Sequence, residues 1–106
     1  MADTPEELAA RLGSPDDVQD FLHQPYTAAL HALVAMGPRA LPALAPLLKA
    51  PDALTRERAI VAIRDIASRI TDGDALWRTL QGYDPSAPQD ERDRAADRWS
   101  EWIAKQ

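Results

Sequence analysis

Small and long aliphatic residues recur in the same order twice along the chain, thirty residues apart. The first copy reads Ala29-Leu30-x-Ala32-Leu33-x-x-Met36-Gly37, and the second reads Ala59-Ile60-x-Ala62-Ile63-x-x-Ile66-Ala67. Every fixed position keeps its size class between the copies. Self-similarity at this period is typical of stacked helical units, in which each unit buries its apolar side against the next.

Helical spacing of apolar residues and helix-capping residues predict an all-α protein of about seven helices without strands. The predicted helices span 5–12, 15–23, 26–37, 38–49, 53–70, 74–81 and 88–105. Thr4-Pro5-Glu6-Glu7 and Ser14-Pro15-Asp16-Asp17 both have the order of a capped helix start. In the second of these helices Val18, Phe21 and Leu22 form one apolar stripe, which we expect to dock on the rest of the protein.

One domain is expected from a chain of 106 residues. We divide it into two N-terminal capping helices (1–25), two helix pairs (26–81), and a loop with a tryptophan-bearing capping helix (82–106). Helix 53–70 has the widest apolar perimeter, so it is expected at the centre. Pro46 removes a backbone donor inside helix 38–49 and should bend it.

The best-defined segment of the repeat resembles short bacterial HEAT-like repeats of the PBS-lyase type. It reads Ala32-Leu33-x-x-Met36-Gly37-Pro38-x-Ala40-Leu41-Pro42-x-Leu44-x-x-Leu47-Leu48. The resemblance implies an α-α superhelix of helical hairpins that acts as a binding scaffold, without catalytic residues. It also implies that Asp52 and Arg56 help to join neighbouring repeats. The second copy lacks the Gly-Pro turn, as a capping unit would.

The net charge of −5 is unevenly placed and limits the choice of partners. Six of the seventeen acidic residues fall in the first 25 positions, against one base, Arg11. An acidic domain lacks the electrostatic footprint of nucleic-acid binding. The chain has no cysteine, and no stretch approaches the roughly 20 apolar residues of a membrane span. We expect a cytoplasmic protein, monomeric or a small homo-oligomer, that binds neither nucleic acid nor membrane.

His23 and His31 are the two histidines, and Pro25 interrupts any helix between them. Their spacing suggests no third ligand, so we interpret them as partly exposed surface residues rather than as a metal site. General acid–base chemistry with Asp20 is an alternative that we disfavour. Asp16 and Asp17 are interpreted as acids that stabilise the dipole of helix 15–23. The sequence thus predicts no catalytic residue, metal or cofactor.

The three tryptophans leave two interpretations open. Trp99 and Trp102 lie three residues apart and could pack on Tyr83 or Pro85 to close the end of the core. They could also form an aromatic hot spot for a partner. We favour core closure, because the chain has one phenylalanine and needs large side chains in its interior. Trp77 is interpreted in the same way, with more exposure.

If the helix pairs stack as in HEAT-like proteins, the second helix of each pair lines a concave face. The residues predicted to face a partner there are Arg39, Pro42, Ala43, Pro46, Lys49, Asp74, Trp77, Arg78 and Gln81. This mildly basic surface could accept an acidic peptide or helix. The predicted function is a non-catalytic scaffold for protein–protein interaction, as an adaptor or a subunit. The alternative is an accessory subunit of a cofactor-modifying, lyase-like enzyme, which would need a pocket with convergent polar groups.

Overall fold

A computed structural model describes residues 3–106, which form a helical structure without extended strands in that range. Five α-helices have seven or more residues, and a single helical turn, α3, lies between two 3₁₀ segments. The elements are α1 (Pro5–Arg11), α2 (Ala28–Met36), a 3₁₀ segment (Gly37–Ala40), α3 (Leu41–Leu44), a second 3₁₀ segment (Ala45–Lys49), α4 (Ala53–Ile70), α5 (Gly73–Thr79) and α6 (Gln89–Ala104). The all-α prediction is confirmed, but the count of about seven helices is wrong.

Side-chain caps begin four of these helices, because the first backbone N–H groups of a helix have no partner within it. The caps are Thr4, Thr27, Asp52 and Asp72, each of which accepts a backbone N–H three residues further on. The bounds of α4 are those predicted from the sequence. The helix predicted over 38–49 changes from α to 3₁₀ geometry at Ala45, immediately before Pro46, whose missing N–H cannot continue the α-helical ladder.

The predicted helix 15–23 is absent, and a loop of turns replaces it. The Ser14 hydroxyl accepts the backbone N–H of Asp16, and the Ser14 carbonyl accepts that of Asp17, so Ser14 closes a turn instead of capping a helix. The Asp17 carboxylate accepts the N–H of Ala29 at 3.0 Å, and therefore contributes to the cap of α2. The interpretation of Asp16 and Asp17 as first-turn acids of their own helix is thus wrong.

The core lies around α4, which packs against α2, α3, α5 and the second 3₁₀ segment. Both copies of the sequence repeat supply it. The fully or nearly fully buried repeat positions are Ala29, Leu30, Leu33, Ala59, Ile60, Ala62, Ile63, Ile66 and Ala67. The first and last helices add Leu8, Leu12, Ala96, Trp99 and Ile103. The predicted central position of helix 53–70 is confirmed.

One helical stretch, Ala28–Lys49, is long and apolar enough to cross a membrane on length and composition alone, contrary to the expectation of no such segment. Core helices of soluble proteins pass the same test. In this fold five leucines of the stretch are completely buried, namely Leu30, Leu33, Leu41, Leu44 and Leu48. Each of them packs within the core cluster that surrounds α4.

Candidate functional site

The nine residues predicted to form a concave face are all partly or fully exposed, but some of them are engaged within the chain. Lys49 lies on the side covered by α6, where its Nζ is 2.7 Å from an Asp97 carboxylate oxygen. The hydrogen bond that Lys49 donates to the Asp97 carboxylate raises the pKa of Lys49. Arg39, Pro42 and Pro46 remain exposed. A partner at this face would have to compete with Asp97 for Lys49.

Trp77, from the other half of the predicted face, belongs to an aromatic cluster at the C-terminal end of the core. The centroid of its ring lies 5.7 Å from that of Trp99. The guanidinium carbon of Arg64 lies over the Trp77 ring, 4.1 Å from its centroid. Trp102 meets Trp99 edge-on at 6.2 Å. Trp99 itself is 1% exposed and donates its indole N–H to the Gly82 carbonyl at 3.2 Å. Core closure by Trp99 is therefore confirmed.

A surface cavity of about 310 Å³ lies between residues 81–87 and α6, and Gln81 of the predicted face is among its lining residues. Its size is at the low end for small-molecule sites. Two of its arginines already donate to backbone carbonyls: Arg92 to Ala87 at 2.6 Å and Arg98 to Leu80 at 2.7 Å. These side chains hold the loop against α6, so a ligand would have to displace backbone carbonyls to bind either guanidinium. The lining also contains Gln81, Asp84, Glu91 and Arg94.

The most exposed apolar side chains occur in the loop that replaces the predicted second helix. Val18 is 70% exposed, Phe21 78% and Leu22 89%. The prediction that they form a stripe docked on the rest of the protein is wrong. We call these three residues the apolar loop surface. Leu54, at the start of α4, is 41% exposed and lines the same shallow cavity as Val18.

Backbone hydrogen bonds close residues 18–28 into an ordered loop. The Ala28 N–H donates to the Val18 carbonyl at 2.7 Å, and the Asp20 N–H donates to the Tyr26 carbonyl at 2.9 Å. Between them, Gln19 and Thr27 form an isolated antiparallel bridge. The apolar loop surface is thus presented by backbone that is tied at both of its ends.

Asp20 lies at the centre of a polar cluster on the same loop. One of its carboxylate oxygens, Oδ2, is 2.8 Å from His23 Nδ1 and 2.9 Å from His31 Nε2. The hydrogen bond from His31, followed by that from His23, lowers the pKa of Asp20 to about 2. The imidazole of His31 packs on the ring of Tyr26, with centroids 4.8 Å apart.

Tyr26 links this cluster to α4 through a hydrogen bond from its hydroxyl to the carboxylate of Asp65. Burial, together with this bond and the Asp65 charge, raises the pKa of Tyr26 to about 12. Burial opposes ionisation of Asp65, but the hydrogen bonds from Tyr26 and Arg69 outweigh it and lower the pKa of Asp65. The loop is therefore fixed to the core by a charged acceptor.

Asp17 and Arg58 form a second polar contact beneath the loop, and both are buried. Arg58 NH1 lies 3.8 Å from Asp17 Oδ2, with side chains 9% and 1% exposed. Neither that oxygen nor the Nε of Arg58 has a hydrogen-bond partner. At 3.8 Å the two charges attract each other without a direct hydrogen bond. This pair neutralises the loop locally, and it leaves Asp16 and Asp20 as the charges at the surface.

Comparisons of this chain with protein families, with curated proteins and with solved structures find no match. The functional interpretation therefore depends on the residues of the chain itself.

Sequence reasoning found the residues of the loop but not their arrangement. Asp20, His23 and His31 lie together in the structure, although their spacing in the sequence does not predict such a cluster. The signal that could have indicated it is Pro25, because a proline between two candidate ligands permits a chain reversal that brings them together. The exposure of Phe21 had no such signal, since its spacing from Val18 and Leu22 is that of a buried helical stripe.

Proposed function

We propose that this protein is a small non-catalytic module for protein–protein interaction, and that the apolar loop surface is its contact site. The observation that carries the proposal is the exposure of Val18, Phe21 and Leu22 on a loop closed by backbone hydrogen bonds. Water-exposed phenylalanine and leucine together cost solvation free energy that partner binding recovers. Because the loop is ordered, little conformational entropy is lost on binding.

The charge around this surface indicates the chemistry of the partner. Asp16 is exposed and Asp20 is partly exposed, while the single base of the first 25 residues, Arg11, is paired with Asp3 at 2.7 Å. An acidic rim attracts a basic segment and repels an anionic membrane. The fitting partner is a protein segment in which lysine or arginine flanks one or two large apolar residues.

The finer assignment of the fold, two HEAT-like helix pairs, is part of the same proposal. Its support is that α2 and α4 carry the repeated pattern and pack on each other. Three corresponding pairs are buried in both helices, namely Ala29 and Ala59, Leu30 and Ile60, and Leu33 and Ile63. The Arg56 guanidinium also joins the linker after the first pair to the loop after α5, by donating to Ala50, Pro51 and Pro85. A cytoplasmic, bacterial protein of this kind is the setting that we propose.

A displayed library of random peptides, selected on the immobilised protein, tests the contact site. We expect enrichment of sequences with basic residues beside leucine or phenylalanine. A selected peptide should bind Phe21→Ser/Leu22→Ser about tenfold more weakly or worse, and bind more weakly at high salt. Thermal unfolding of this variant should match the wild type, because both side chains are exposed.

The matched control is Arg39→Glu/Lys49→Glu, which alters the face predicted from the sequence. It should leave binding of the selected peptide unchanged. If the selection instead enriches acidic peptides, and these bind the control variant more weakly but the loop variant normally, then the contact site is the concave face and not the apolar loop surface. Dimerisation in sedimentation experiments that Phe21→Ser/Leu22→Ser abolishes would show that the loop binds a second copy, and would contradict a basic partner.

The accessory role in a cofactor-modifying enzyme is less well supported. The cavity between residues 81–87 and α6 is small, and two of the three arginines that line it, Arg92 and Arg98, donate to backbone carbonyls. A small-molecule cofactor needs a larger apolar enclosure with free, convergent polar groups.

A further inference from the structure

Three side chains from two parts of the chain direct ligand atoms towards one point on the exposed side of the 18–28 loop. These atoms are Asp20 Oδ2, His23 Nδ1 and His31 Nε2, and all of them lie within 4.8 Å of one another. Asp20 and His23 belong to the loop, whereas His31 is on α2. Imidazole nitrogens and a carboxylate oxygen form a donor set that suits Zn²⁺ and neighbouring transition metals.

We propose that Asp20, His23 and His31 form a surface binding site for a divalent transition-metal ion, with Zn²⁺ as the fitting ligand. The two nitrogen–oxygen distances need little change, whereas the two nitrogens, which lie within 4.8 Å of each other, must approach by up to about 1.5 Å. Zinc bonds of about 2.0–2.1 Å in a tetrahedral arrangement place neighbouring ligand atoms about 3.3 Å apart. The oxygen now lies 2.8 and 2.9 Å from the two nitrogens, so each pair separates by about 0.5 Å on binding.

The carboxylate of Asp20 is held in the orientation that the ion needs. Its other oxygen, Oδ1, accepts backbone N–H groups from Leu22 at 3.0 Å and His23 at 3.2 Å. Those bonds leave Oδ2 to face the two imidazoles. Outer hydrogen bonds of this kind fix ligand orientation in metal sites. The ring of Tyr26 supports His31 from the side.

The site is open to solvent, because the side chains of His23 and His31 are 68% and 49% exposed. Three protein ligands leave a fourth position for water or for a ligand from outside the chain, as in zinc sites that are not purely structural. Metal binding would join the loop to α2. Two of the ligands, Asp20 and His23, flank the apolar residues Phe21 and Leu22 in the sequence. The proposal does not depend on the apolar loop surface having a partner.

Calorimetric titration of the tag-free, chelator-treated full chain with ZnCl₂ tests the site. We expect one ion per chain, and affinities lowered about tenfold or more by His23→Ala and by His31→Ala. The matched control, Asp16→Asn, changes an exposed acid of the same loop outside the cluster and should bind as the wild type does. Circular dichroism checks that each variant is folded, which their exposed positions lead us to expect.

Two further readouts make the assignment specific. Imidazole ¹⁵N shifts should move on zinc addition at Nδ1 of His23 and Nε2 of His31. Co²⁺ in place of Zn²⁺ should give visible absorption that His23→Ala/His31→Ala loses. Unchanged zinc affinity in this double variant would overturn the proposal, as would shifts confined to other nitrogens or a wild-type protein that binds no ion. Because the chain is measured alone, these results are independent of the peptide selection.

Discussion

Replacement of Arg56 by methionine should destabilise the protein more than any substitution of a surface charge. Arg56 is 6% exposed and donates four hydrogen bonds of 2.8–3.2 Å, two of them to Pro85 and one each to Ala50 and Pro51. Methionine keeps most of the aliphatic stem but none of the donors. Three backbone carbonyls on two separate loops then lose their partner.

The expected magnitude follows from these bonds. Hydrogen bonds to charged groups contribute about 1.5–3 kcal/mol each, but Pro51 is exposed and Pro85 is partly exposed, so water replaces part of the loss. Removing the buried charge also relieves its desolvation. We expect a net loss of about 2–4 kcal/mol in the free energy of unfolding, which is a large share of a typical 5–15 kcal/mol. Arg56→Lys should lose less, because an ammonium keeps some donors without the planar fork.

Urea unfolding followed by circular dichroism measures this effect. The matched control is Arg94→Met, since Arg94 is exposed and its nearest carboxylate, on Asp90, is 3.8 Å away. Such a pair contributes less than about 0.5 kcal/mol. If the free energies of unfolding of the two methionine variants agree within about 1 kcal/mol, then the desolvation cost of the Arg56 guanidinium cancels the gain from its hydrogen bonds. In that case Arg56 does not stabilise the contact between the two loops.

Three further predictions concern the loop and the core. Gly13→Ala should cost at least about 2 kcal/mol, because φ is +91° there and a Cβ would lie 2.1 Å from the Thr55 hydroxyl oxygen; wild-type urea unfolding in this variant would contradict the close approach. The folded-state pKa of Tyr26 is raised from 10.0 to about 12, so its contribution to stability is complete below pH 10 and is lost between pH 10 and 12. The urea midpoint of the wild type should therefore fall more over this pH interval than that of Tyr26→Phe. An equal fall in the two proteins would refute this prediction. Leu44→Ala should cost about 2–5 kcal/mol in thermal or urea unfolding, since Leu44 is fully buried, whereas Leu22→Ser should change stability by less than about 0.5 kcal/mol; similar losses in the two would show that the loop is packed.

Helices whose buried side and ends are both encoded locally could be predicted from the sequence. The bounds predicted for the helix over 53–70 agree with those of α4, whose first turn is capped by the side chain of Asp52 in the structure. The apolar positions of the two repeat copies also identified nine of the 22 buried apolar residues. These signals depend on near neighbours in sequence, which is why they hold without knowledge of the tertiary structure.

The loop shows where local signals fail. Ser14-Pro15-Asp16-Asp17 has the composition of a helix start, but the Asp17 carboxylate binds the Ala29 N–H twelve residues away. A capping residue that caps a different helix cannot be recognised from spacing. The contact of Asp20 with His31 likewise depends on a chain reversal at residues 20–26, which Pro25 permits but which residue spacing alone does not specify.

The single turn α3 determines how the protein loses its structure. α3 packs against both α1 and α6, so the first and last described helices meet the same short element from the middle of the chain. α3 contains Leu41 and Leu44, both of which are fully buried, so we expect that detachment of either helix exposes apolar surface of this turn. Unfolding of the first or the last helix is therefore coupled to unfolding of α3. The amide hydrogens of the helices should exchange in one cooperative event, whereas a long repeat array can unfold unit by unit.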